Sequence, residues 1–104
     1  MEKVIRENKV AVLISHGYGA GWYSWSEDSR ELLYHPKLIE MVESDRLSEI
    51  DEDWVLDNLD IADVHCGGAK DLKIHWIPVG TRFKVNEFDG AESISTVDDL
   101  IFIA

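Results

Sequence analysis

An α+β fold is predicted by three features of this 104-residue chain: an isolated apolar strand near its start, a helical middle, and period-two segments after a Gly-Gly break. The expected architecture is a small, mostly antiparallel sheet. It is built from the N-terminal strand plus a C-terminal β-meander, with two or three helices packed on one face. Residues 1–104 are expected to form a single domain, since this length suffices for one modest core.

The elements follow from local chemistry. Lys9 to Ser15 is β-branched and aliphatic almost throughout, as in a strand covered on both faces. Residues Asp28 to Asp63 read as two or three helices. Pro36 suits a first helical turn, and Leu38, Met41 and Val42 then share one face. Ser48 with Asp51 has the form of a capping box ahead of Ile50, Trp54 and Val55. Cys66-Gly67-Gly68-Ala69 ends the helical region, because glycine costs about 1 kcal/mol in a helix interior. Beyond it, Leu72, Ile74 and Trp76 alternate with Lys73, His75 and Ile77. A turn at Pro78–Thr81 leads to a strand containing Phe83 and Val85, and Asp89-Gly90 is a hairpin signal. A last strand is expected at Leu100–Ile103. Its apolar character so close to Ala104 points to pairing in the sheet or cover by another subunit, hence to a homo-oligomer.

Charge narrows the function. The formal net charge is −11, which repels DNA, RNA and anionic lipid at long range and argues against direct nucleic-acid binding. No apolar run approaches the roughly 20 residues of a membrane span. The first residues lack the apolar region of a secretory signal, and the single cysteine, Cys66, has no intrachain partner. Together these place the expected protein in a cytoplasm.

The segment with the most chemistry runs from Ser15 to Ser26 between the first strand and the helices. Ser15, His16, Gly17, Tyr18, Gly19, Gly21, Trp22, Tyr23 and Trp25 form the expected ligand-binding set. Alternating glycines let backbone N–H groups turn toward an anion, and the rings can stack on a flat base. The spacing is neither the dinucleotide fingerprint nor a P-loop. A core role for Trp22 and Trp25 is the competing expectation.

No catalytic constellation is specified, and none of the expected sites holds a metal or cofactor. His65 and Cys66 are adjacent, and neighbours in an extended segment point to opposite sides. The four histidines lack metal-ligand spacing. Asp51, Glu52, Asp53, Asp57, Asp60 and Asp63 lack the EF-hand pattern and read as a solvated helical face. Glu87, Asp89 and Glu92, around the hairpin signal, read as solvated turn acids. Val12–Gly19 with Trp22 resembles the oxyanion loop of α/β-hydrolases. The chain is too short for that fold and has no G-x-S-x-G elbow, so an enzyme of that kind is excluded.

The segment Val12-Leu13-Ile14-Ser15 with Gly17, Gly19, Ala20, Gly21 and Trp22, together with Trp76–Phe83 and Glu87–Glu92, resembles a family of small acidic bacteriophage and prophage proteins. That resemblance implies expression in a host bacterial cytoplasm and a counter-defence role. Two functions are therefore expected in alternative: a non-enzymatic protein that sequesters a small nucleotide-like ligand in the glycine–aromatic loop, or an acidic, DNA-mimic-like inhibitor that binds a basic host protein through Glu49 to Asp63.

Overall fold

The computed structural model describes residues 2–96, so the strand expected at Leu100–Ile103 lies outside the described residues. The fold is α+β, with two small antiparallel sheets and three helices. β1 (Ile5–Arg6), β2 (Lys9–Ser15) and β3 (Leu72–Pro78) form a sheet in that order. β4 (Phe83–Phe88) and β5 (Ala91–Thr96) form a separate hairpin rather than continuing one meander.

β2 is the centre of the first sheet, and its apolar run explains its position. Ala11, Val12, Leu13 and Ile14 are all fully buried, which requires cover on both faces. Alternation divides them. Ala11 and Leu13 join Leu72, Trp22 and the helices α2 (Pro36–Glu43) and α3 (Glu52–Leu59) in the main core. Val12 and Ile14 face the other way, into a second cluster with Leu33, Ile77, Phe83, Val85 and Ile94. Helices α2 and α3 thus cover one face of the sheet, and the β4–β5 hairpin, with Leu33, covers the other.

Local signals set the boundaries. The short helix α1 (Glu31–Tyr34) ends at His35, whose ring accepts a hydrogen bond from the Lys37 N–H while Pro36 starts α2. α3 is capped by Asp51, whose carboxylate accepts from the Trp54 N–H at 2.8 Å. The expected Ser48 cap is displaced: Ser48 lies in a separate 3-10 turn, Leu47–Glu49. The reason is packing, because Ile50 and Val55, on either side of the new cap, are both buried in the main core as a hydrophobic staple. The β1–β2 turn is Glu7-Asn8, with φ of 51° and 64° at its two residues. The β4–β5 turn is Asp89-Gly90, with φ of 50° and 87°, the paired positive values of a tight type I′ hairpin.

Gly90 has a second constraint besides its φ. A Cβ there would run into the backbone of Ala20, so the turn sits directly on the glycine–aromatic loop. Gly90→Ala is therefore expected to cost about 1–3 kcal/mol, measured as a lowered urea midpoint with unchanged slope. An unchanged midpoint would show that the turn does not rest on the loop.

Candidate functional site

The glycine–aromatic loop leaves the end of β2 and is held by a carboxylate from the other sheet. Glu92, on β5, is 2% exposed. Its Oε1 accepts from the Ser15 N–H at 2.9 Å. Its Oε2 accepts from the Trp22 N–H at 2.9 Å, the Ser24 N–H at 2.8 Å and the Ser24 hydroxyl at 2.6 Å. Four donors thus converge on one anion. The anion is the chain's own. Glu92 is thus not the solvated turn acid expected from its position beside Asp89-Gly90.

The nine expected ligand-binding residues separate under this geometry. Ser15 is buried, with its hydroxyl donated to the Gly68 carbonyl at 2.7 Å. Trp22 is fully buried and donates Nε1–H to the Leu32 carbonyl at 2.8 Å. Gly21 is buried beside it, and Gly17 packs against the Asp71 side chain. Gly19 donates its N–H to the Asp89 carbonyl at 2.6 Å. His16 Nε2 meets His75 Nε2 at 2.7 Å, one ring donating and the other accepting. Burial first, then His16, holds His75 below the ordinary histidine pKa. Tyr18 and Trp25 remain exposed at 74% and 43%. Tyr23 is half-buried and lines an open groove. The loop is mainly a structural socket, and its backbone donors at Ser15, Trp22 and Ser24 are committed to Glu92.

The cavity lined by Tyr23 is an open groove of about 690 Å³ between the first sheet and the β4–β5 hairpin. Tyr34, Phe83, Leu33 and Ile77 supply apolar surface, and Lys3, Arg30, Arg82 and Lys84 supply cations. Four of the chain's ten Lys and Arg residues thus border one groove, against a single acid, Glu27. Lys3 Nζ stands 4.7 Å from the centre of the Tyr34 ring, a cation–π contact. Burial raises the Tyr34 pKa above its ordinary value. A second depression, near Asp28, Glu31 and Asp60, is lined largely by acids and does not suit an anion.

Sequence reasoning missed these cations because they come from three separate segments, each unremarkable alone. The signal for Glu92 was present: it shares strand parity with the half-buried Ile94, and so faces inward.

The remaining candidates do little chemistry. Burial, with Glu52 and Asp51, pushes the Cys66 thiol up to about 11, the wrong direction for a nucleophile. Among the described residues, no group of three or more His, Cys, Asp or Glu is placed to hold a metal ion. No helix among them is long and apolar enough to cross a membrane. Comparison with protein families, curated proteins and solved structures finds no match for this chain.

Two outcomes follow from this geometry. Glu92→Gln leaves N–H donors facing an amide with one fewer acceptor, and is expected to destabilise the fold by about 2–3 kcal/mol in urea titration. A loss under about 0.5 kcal/mol, the range of ordinary surface changes, would remove Glu92 from its central role. Cys66 alkylation by iodoacetamide at pH 7.5 is expected to run at least tenfold slower in the native protein than in urea. Equal rates would contradict the raised pKa.

Proposed function

We propose that this protein is a non-enzymatic binder of a small anionic ligand with a flat ring, a nucleotide-like molecule, held in the groove between Tyr23, Tyr34 and Arg82. The observation that carries this reading is the local inversion of charge. A chain of net charge −11 gathers Lys3, Arg30, Arg82 and Lys84 around one concavity that also holds Tyr23, Tyr34 and Phe83. Guanidinium groups recognise phosphate through paired charge-assisted donors, and aromatic faces stack on a base. The volume lies within the ordinary range for small-molecule sites, about 300–1,000 Å³.

The site is thus displaced from the glycine–aromatic loop to the groove beside it, with Tyr23 shared. Its wall combines four cations with aromatic rings and one carboxylate, Glu27, a lining that supports the binding of an anion. In the counter-defence setting implied by the resemblance to phage proteins, such binding acts by sequestration.

Calorimetry against a panel of mono- and dinucleotides tests this reading. At least one nucleotide is expected to bind the intact chain. Arg30→Ala or Arg82→Ala is expected to weaken it about ten- to a hundredfold, the loss of one charge-assisted contact. Both side chains are exposed, so the variants should fold. No heat from any nucleotide, or full affinity in both variants, would sink the proposal.

A further inference from the structure

Strand pairing brings together two histidines that stand 59 residues apart in the chain. His16 follows the last residue of β2, and His75 lies in β3, opposite Val12. Nε2 of one ring meets Nε2 of the other at 2.7 Å, with ring centres 4.9 Å apart and planes tilted by 32°. Among the described residues, each imidazole is the other's hydrogen-bond partner. His16 is exposed and His75 half-buried, so the pair is open to solvent. Neither lines the groove.

We propose that His16 and His75 together bind a divalent transition-metal ion of borderline softness, such as Ni²⁺, Cu²⁺ or Zn²⁺. A hydrogen bond needs a lone pair from one ring only, yet both Nε2 atoms point at the same spot. Neutral imidazole suits these ions, whereas Mg²⁺ and Ca²⁺ prefer oxygen. The distance is close to what a metal requires: two nitrogens about 2.1 Å from one ion, at about 90–109° to each other, lie about 3.0–3.4 Å apart. The rings therefore part by less than about 1 Å, a small side-chain rotation. The exchange also balances. The ring that donates Nε2–H in the free pair moves that proton to Nδ1, so each neutral imidazole keeps one N–H and offers one lone pair. The backbones are already held, because β2 and β3 pair at seven positions from Lys9↔Pro78 to Ser15↔Leu72, and little ordering is left to oppose binding.

Charge acts in both directions. Lys73 shares the strand face of His75 and opposes a cation. The chain's net charge of −11 favours one, and the Asp71 carboxylate lies against Gly17, next to His16. Asp71 is not placed as a third ligand, so the site has two protein ligands and leaves the other positions of the ion to water.

Calorimetry of the intact chain with NiCl₂ tests the proposal. One ion per chain is expected to bind, and MgCl₂ is expected to give no heat. His16→Gln and His75→Gln keep a polar side chain of similar reach, and circular dichroism checks that each variant folds. Each is expected to weaken Ni²⁺ binding about a hundredfold, since removing either ring leaves a single ligand with no intramolecular second. His65→Gln, at an exposed histidine outside the pair, is expected to bind as the unmodified chain does. In NMR of the unmodified chain, paramagnetic Ni²⁺ is expected to broaden the signals of His16 and His75 first. Absence of heat with NiCl₂, unchanged affinity in either pair variant, loss of binding in His65→Gln, or broadening centred elsewhere would overturn the proposal.

Discussion

The carboxylate of Glu92 is the constraint on which the rest of the architecture depends. It reaches from the second sheet to the end of β2 at Ser15 and to the loop at Trp22 and Ser24, segments about seventy residues away in sequence. An unpaired carboxylate in this position would carry a penalty of several kcal/mol. Four donors converging on it offset that penalty, and the same bonds satisfy three backbone N–H groups, of Ser15, Trp22 and Ser24. Both oxygens are engaged, so the hairpin is fixed in orientation as well as position. The glycine spacing serves this contact: the loop must curl its donors inward while Gly90 lets the hairpin turn approach Ala20.

This explains which parts of the fold were legible in the sequence. β2 announced itself, because five consecutive buried residues leave no ambiguity of face. Pro36 and Asp89-Gly90 announced a helix start and a hairpin through backbone chemistry that needs no tertiary context. The cap of α3 was misplaced by three residues, from Ser48 to Asp51, since the choice between two good capping residues was made by the burial of Ile50. The division of the strands into two sheets was not legible. It turns on Glu92, and an acid next to an Asp-Gly turn reads as solvated unless its parity with Ile94 is given more weight than its charge. The backbone donors of Ser15, Trp22 and Ser24, which the sequence lets face an external anion, are taken by the chain's own Glu92.

Net charge had a similar limit. It excluded broad classes of partner, but a sum over the whole chain conceals distribution. Acids occupy the exposed face of α3, whereas Lys3, Arg30, Arg82 and Lys84 come together only in the folded chain, around one groove. Lys3, Arg30 and the Arg82/Lys84 pair are dozens of residues apart, and no spacing rule joins them. A groove of inverted sign inside an acidic protein also has a physical consequence. The surrounding acids slow the approach of an anion, so affinity at the groove must come from short-range donors and ring contacts.

The two walls of that groove are not independent, and the reason returns to Glu92. Tyr23 lies between Trp22 and Ser24, the two residues whose N–H groups share Oε2. Arg82, Phe83 and Lys84 lie at or beside the start of β4, which is paired along its length with the strand that carries Glu92. The carboxylate therefore joins the aromatic wall to the cationic wall without lining the groove itself. It is a positioning residue, whose loss would move Tyr23 relative to Arg82 even where the core survived. Under the proposed binding of a nucleotide-like molecule, a ring on Tyr23 and a phosphate on Arg82 would have to be met by one ligand at one separation. The buried contact that stabilises the fold would then also set the length of that proposed ligand.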